Sequence, residues 1–353
     1  MGNMIFFVKR KGVLKMKKNI MRMFMLSLLG VTMCVSGCNN GLTDEPDKVD
    51  FPTKPINVIV PFSAGGGSDL QARTLEKLAP KYLGQSFIVT NKTGGGGMIG
   101  WNEVVSQVPD GYTLTVSDIG IITQPLYGET KYYYPTALEP LAQMSISPII
   151  IAVKSDQPWK TLDELIEYCK EHPKEVKYGH SGIGSMGQLV GSMLSEKANI
   201  RIEQVPFKGT SESAAALLGD HIQFVVANPG ALTEQVKNGT LRVLAVSSEE
   251  RLKNLQFSQV PTFKEYGLDI VLECWFGIAV PKELPEKEKG KLEKALKEMI
   301  LDPEFKENVE QLGFQVEYLD SDQSKKKWIK DNENLKKILD DTGVLEQIQA
   351  QKK

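Results

Sequence analysis

Cysteine and histidine are scarce in this chain of 353 residues, four of the first and three of the second. Cys34 and Cys38 lie near the start, while Cys169 and Cys274 stand far apart in helical or apolar surroundings. His172, His180 and His221 are scattered. No CxxC pair and no Cys/His spacing offers a metal site, so no metal and no other cofactor is expected. Cys169 and Cys274 read as two buried thiols rather than as a disulfide. Arginine is rare as well, six residues against 36 lysines, and net charge is −2. The lack of a basic surplus removes the electrostatic footprint of nucleic-acid binding. An anionic ligand must therefore be held by local geometry, not by a global field. Sequence signatures of catalysis and nucleotide binding are missing too. Neither glycine-rich turn continues into Gly-Lys-Ser/Thr, and the first strand is not followed by GxGxxG. Ser181 and Ser185 beside His180 form the one candidate hydrolase set, but no GxSxG elbow surrounds either serine. An enzyme is therefore not expected.

Long apolar runs are also missing, and the longest candidate has another meaning. Lys9, Arg10, Lys11, Lys15, Lys17, Lys18 and Arg22 make a basic start, followed by an apolar stretch from Met23 that is too short for a comfortable membrane span. This is the pattern of a signal peptide. It ends in Val35-Ser36-Gly37-Cys38, which resembles a bacterial lipobox. Residues 1–37 are thus expected to be removed and Cys38 to carry diacylglycerol on its sulfur. A second basic start at Met16-Lys-Lys suggests translation from Met16. Residues 38–50 are polar and cannot pack a core, which suits a tether. The lysine excess suggests an AT-rich genome and hints at a Gram-positive source, where an exported receptor needs a lipid anchor. The expected location is extracytoplasmic, at the outer face of the membrane or in a periplasm.

What the remainder has is alternation. Ile56-Asn-Val-Ile-Val-Pro61 reads as a strand, Ser63 to Ser68 as a glycine-rich turn, and Asp69 to Leu78 as a helix with apolar Leu70, Leu75 and Leu78. Residues 87–90 and 112–116 read as further strands, with a second glycine cluster at Gly94 to Gly97. The pattern recurs with strands at 148–153, 176–179, 202–205, 222–227 and 241–246. Thr161 and Glu164 form a capping box for a helix. From Glu286 the chain is rich in lysine and glutamate and reads as helical. Alternating strands and helices imply an α/β fold with mostly parallel sheets. Two segments, 56–78 and 176–197, share one device: short strand, glycine-rich turn, helix start. Two helix N-termini facing one cleft would offer unpaired N–H groups and partial positive charge to an anion.

The leader and these motifs together resemble the tripartite tricarboxylate transporter substrate-binding family, also called the Bug family. The similarity runs over nearly the whole mature chain, from Phe51 to the last helix. It rests on Phe51-Pro-Thr-Lys-Pro-Ile-Asn-Val-Ile-Val-Pro-Phe62 with Gly65-Gly-Gly-Ser-Asp69, and on Asn91-Lys-Thr-Gly-Gly-Gly-Gly-Met-Ile-Gly100. It continues through Pro109-Asp-Gly-Tyr-Thr-Leu114, Val205-Pro-Phe-Lys-Gly209, Leu244-Ala-Val-Ser247, Val260-Pro-Thr262, Glu265-Tyr-Gly267 and Trp275-Phe-Gly277. The resemblance implies a two-domain periplasmic-binding-protein fold, with residues 51–147 and 273–353 in one domain and 148–272 in the other. It implies a monomer that gathers a small organic acid for the membrane permease subunits of a tripartite transporter. Tricarboxylates, dicarboxylates, amino acids and aromatic acids all fit the family. A sensing role beside a membrane histidine kinase would use the same fold and cleft.

The same resemblance places two strand–turn–helix clamps at Phe62, Ser63, Ala64, Gly65, Gly66, Gly67, Ser68 and Asp69, and at Ser181, Gly182, Gly184, Ser185, Met186 and Gln188. It adds Ser117, Lys208 and Asn228 around the cleft. This chain departs from the family at Ser63-Ala64, where Pro-Pro or Pro-Gly is common, and at Gln188, where His is common. Met186 stands where Ser or Thr is common. Plainer readings stand beside these. Asp69 reads first as a tether of its helix start, since a carboxylate would repel a ligand carboxylate. Lys208 is equally well a solvated loop lysine, and Trp275 and Phe276 read as core near the hinge. His180 reads as a partly buried histidine, with pH sensing as the sharper alternative.

Overall fold

The computed structural model describes residues 51–352, apart from 254, 255 and 343. The leader, Met16, Cys38 and the tether lie outside the described residues.

Two sheets organise the chain from Phe51 onward. The strands are β1 (Ile56–Val60), β2 (Phe87–Asn91), β3 (Thr113–Asp118), β4 (Leu138–Pro148), β5 (Ile150–Lys154), β6 (Lys177–His180), β7 (Glu203–Pro206), β8 (Phe224–Ala227), β9 (Leu241–Val246), β10 (Glu273–Pro281) and β11 (Gln315–Asp320). The first sheet runs β11-β4-β10-β3-β1-β2 and the second β7-β6-β8-β5-β9. Buried β1 is apolar at four of its five positions, as a strand covered on both faces must be. Its parallel partners β2 and β3 are reached through helices, among them Gly67–Leu83, which buries Ala72, Leu75, Leu78 and Ala79 and stops at Gly84 in the left-handed region. Thr161 and Glu164 do form a capping box at the helix Leu162–Glu171.

The sheets are mixed rather than mostly parallel. β10 pairs antiparallel with both β3 and β4, and β5 antiparallel with both β8 and β9. The physical reason is that these strands carry the chain from one sheet to the other and back, so they enter against the direction of the βα units. The sequence also hid β11, six residues inside the lysine- and glutamate-rich tail, which closes the edge of the first sheet against β4.

The passage between sheets is short and tightly bonded. β4 ends at Pro148 and β5 begins at Ile150. Ile149 N–H donates to Ser247 Oγ at 2.8 Å, and Ser247 N–H donates back to Ile149 C=O at 2.9 Å. Ser247 C=O accepts from Leu272 N–H at 2.9 Å, and Ser247 Oγ donates to Leu272 C=O. Both crossings are thus tied to one buried serine. Among the described residues no helix is long and apolar enough to cross a membrane.

Candidate functional site

The helix Gly67–Leu83 begins without a side-chain cap at Gly66, so its first-turn N–H groups are not satisfied by a capping side chain. Gly65 takes φ 74, which turns the chain from β1 into the helix. Gly66 itself has φ −76, so positive φ belongs to Gly65 and not to its neighbour. Gly67 is required for another reason. A Cβ there would lie 2.5 Å from Asn228 Oδ1 and 2.5 Å from Phe314 Cζ. The backbone at the helix start thus presses directly against the loop after β8.

The second copy of the device is built differently. Ser185 caps the helix Met186–Lys197 by accepting from Gln188 N–H at 3.3 Å. Gln188 is fully buried and folds back: its Oε1 accepts from Gly184 N–H at 2.6 Å, and its Nε2 donates to Gln204 Oε1 at 2.7 Å. It braces the turn rather than facing the cleft.

A cavity lies between the two sheets. Of the residues singled out from sequence, Phe62, Gly66, Gly67 and Ser68 line it from the first sheet, and Ser181, Ser185, Met186 and Asn228 from the second. The other clamp residues sit around this lining. Gly182 C=O accepts from His180 Nδ1 at 2.9 Å. Asp69 accepts from Gly65 N–H at 2.8 Å, Arg73 Nε at 3.0 Å and Asn91 Nδ2 at 3.0 Å, which makes it the tether of its turn. Lys208 is not brought to the cavity. Its side chain is exposed, and its backbone N–H donates to Glu212. Ser117 is buried on β3, but the neighbouring Asp118 supplies the lining, as alternation along a strand requires.

Sequence reasoning also missed Gly96, Gly120, Ile149 and Thr210 in the lining. Phe276, expected as hinge core, lines the cavity too, edge-on to Phe314 at a ring separation of 5.3 Å. Trp275 is core, stacked on Trp328. Among the described residues, Asp118 is the acidic group of the wall. Burial pushes its carboxyl up to about 7, with Gly120 N–H, donating at 2.7 Å, pulling the other way. The signal for it was present: an acidic residue at the C-terminal end of an apolar strand, where open α/β sheets place ligands.

Ser185 and His180 do approach, at 3.5 Å. Yet His180 Nδ1 must carry its proton to bond Gly182 C=O, so that nitrogen is no base for Ser185. Burial pushes His180 down to about 4, so it is a neutral core histidine near neutral pH. Cys169 and Cys274 are free buried thiols.

Side chains from the two sides also meet across the cleft. Ser63 Oγ and Ser211 Oγ lie 2.7 Å apart, and Ser211 Oγ also contacts Ala64 C=O at 2.8 Å. Gln124 Nε2 donates to Ile183 C=O at 2.9 Å, and Thr123 Oγ1 to Gly184 C=O at 3.2 Å.

Comparison with known proteins agrees with this architecture. The pattern of the family described as tripartite tricarboxylate transporter family receptor matches residues 71–344. A UPF0065 protein of Cupriavidus necator is 33% identical over 273 residues, covering 77% of this chain and 83% of that protein. The periplasmic binding protein BugD superimposes with a TM-score of 0.80 at 31% identity, over 83% of this chain and 99% of its own. R. palustris Rpa4515, solved with adipate, gives a TM-score of 0.79 at 25% identity over 83% and 99%. The fold is a two-domain periplasmic-binding-protein fold.

Proposed function

The chain belongs to the tripartite tricarboxylate transporter receptor family, a family of substrate-binding receptors and not of enzymes, and from that premise we propose that it captures a small carboxylate between its two domains. The observation that carries the reading is the uncapped start of the helix Gly67–Leu83 opening on the same cavity as the start of the helix Met186–Lys197. Among the described residues no lysine or arginine lines that cavity, which leaves N–H groups and hydroxyls to hold the anion. Adipate in Rpa4515 supports a carboxylate as the class.

The domains we assign are residues 51–147 with 273–353, and residues 148–272. They close around the ligand about the crossings at Ile149 and Ser247, and the bonds across the cleft support such closure. The leader supports export, with Cys38 acylated and the receptor held at the membrane as a monomer for its permease subunits. Intact mass of the mature protein should show a diacylglycerol-bearing N-terminal cysteine, and Cys38→Ala should abolish it.

The test of the ligand class is native mass spectrometry of protein purified without refolding, followed by calorimetric titration with small mono-, di- and tricarboxylates. One carboxylate should co-purify or bind, and small-angle scattering should show a smaller radius of gyration when it does. Tight binding of a neutral sugar, with no response to any carboxylate, would sink the reading.

A further inference from the structure

Asp118 stands apart from every other group in the cleft. Among the described residues it is the one Asp, Glu, Lys, Arg or His in the cavity lining, and only 7% of its surface is exposed. One oxygen accepts from Gly120 N–H at 2.7 Å. The other has no partner among the described residues and opens on the cavity. Asn228 Oδ1, a buried acceptor with no partner among the described residues, lies elsewhere, against the start of the helix Gly67–Leu83, 2.5 Å from where a Cβ at Gly67 would stand. Among the described residues, the neighbours of Asp118 from other elements give it no cation. β10 offers Cys274, a thiol that burial holds neutral, and Phe276.

A carboxyl so placed is costly beside a fully anionic ligand. It would repel the second carboxylate of a diacid unless it first took up a proton. A buried anion is best compensated by a cation that also donates hydrogen bonds to it. The rest of the wall supplies donors for a carboxylate at the two helix starts. The cavity is therefore divided by charge preference, with N–H donors at the helix ends and the carboxylate acceptor at Asp118.

Resting on the carboxylate reading above, we propose that Asp118 is a specificity-determining residue that accepts from an ammonium group of the ligand, so that the preferred solute is an amino-bearing carboxylic acid rather than a plain polycarboxylate. The ligand carboxylate sits at the starts of the helices Gly67–Leu83 and Met186–Lys197, and its ammonium group points to Asp118. The wall then discriminates twice. It rewards the amine with a charge-assisted bond, and it rejects the deaminated acid by leaving Asp118 unpaired.

Matched pairs of acids that differ only by the amine test this: aspartate against succinate, glutamate against glutarate, and 2-aminoadipate against adipate. Each is titrated calorimetrically into wild-type protein and Asp118→Asn near neutral pH, with circular dichroism as the check of fold. The Asn side chain keeps the size and removes the charge, so the variant should fold. In any pair that binds, the aminated member should bind about ten-fold tighter or more to wild type. Asp118→Asn should shrink that preference to within about three-fold, by weakening the amino acid and strengthening the plain diacid. If wild type binds the plain diacid as well as its aminated partner, the inference is wrong while the carboxylate reading stands. If the preference survives in Asp118→Asn, the assignment to Asp118 is wrong. If none of these six acids binds while another, amine-free carboxylate does, the inference is wrong and the carboxylate reading stands.

Discussion

Ser63 and Ser211 are separated by 148 positions in sequence, yet their hydroxyl oxygens lie 2.7 Å apart across the cleft. Ser63 follows β1, and Ser211 opens the helix Thr210–Leu218 between β7 and β8. The pair exists only while the two sides stand close, so under the closure proposed above it marks the closed form. Gly209 backs it, since a Cβ there would lie 2.1 Å from Ser63 Oγ.

Ser211→Ala should therefore weaken ligand binding without unfolding the protein. A hydrogen bond of this kind contributes about 0.5–1.5 kcal/mol, so affinity should fall about two- to thirteen-fold. Titration of whichever acid binds wild type gives the affinity, and thermal unfolding without ligand should barely change. Unaltered affinity would mean that the hydroxyl pair adds nothing to closure.

Gly67→Ala tests close approach at the helix start. The added methyl would meet Asn228 Oδ1 and Phe314 Cζ at 2.5 Å, so Asn228 or Phe314 must move. Binding should drop about ten-fold or more, and stability should fall by about 1–3 kcal/mol through overpacking. Gly290→Ala is the contrast, because nothing lies within 4 Å of its Cβ inside the helix Glu286–Ile300. It should stabilise the protein by roughly 0.5–1 kcal/mol and leave binding alone. Equal behaviour of the two variants in titration would contradict the packing argument.

Ser247→Ala should be among the more damaging single-atom changes. The buried hydroxyl accepts from Ile149 N–H and donates to Leu272 C=O, so its loss strands two buried groups at the crossings. Each stranded group costs about 1–3 kcal/mol. Urea unfolding should show a lowered midpoint, whereas Lys208→Ala, at an exposed position away from the cavity, should alter neither midpoint nor affinity.

The two strand–turn–helix segments were legible in sequence because strand, glycine turn and helix start are local signals. Period, turn residues and caps lie within about 20 positions, and the structure adds only which glycine serves which purpose. β4 and β10 were harder to read. Their burial comes from the sheet around them, and Pro140 and Pro148 in β4 argue locally against a strand. β11 was masked by the charged helices on either side. The cleft wall was legible only in part, for a geometric reason. Ser117 and Asp118 are adjacent in sequence, but a strand turns neighbouring side chains to opposite faces, and only the assembled sheet tells which one meets the cavity. Gly96, Thr210 and Phe276 come from segments far apart in sequence that only closure of the chain brings together.

Asp118 also gives the protein a pH signature that needs no ligand. Burial lifts its carboxyl to about 7, while the same group in the unfolded chain titrates near 3.8. Between those values the folded protein holds a proton that the unfolded chain has released. By linkage this contribution is most favourable at acid pH, and stability falls as pH rises through the window toward 7. A ten-fold difference in proton affinity between the folded and unfolded states corresponds to about 1.4 kcal/mol, so the full penalty above neutrality is at most about 4 kcal/mol. His180, pushed down to about 4 by burial, works in the opposite sense, losing stability as pH falls below 6.5, but it is common to wild type and variant. The difference between wild type and Asp118→Asn therefore isolates the carboxyl. Thermal unfolding of both ligand-free proteins at about pH 4.5, 6 and 8 is the measurement. The variant should gain on wild type steadily as pH rises and show the largest advantage near pH 8. Parallel profiles would mean that Asp118 is ionised and well solvated in the folded protein, and the charge division of the cleft would lose its foundation.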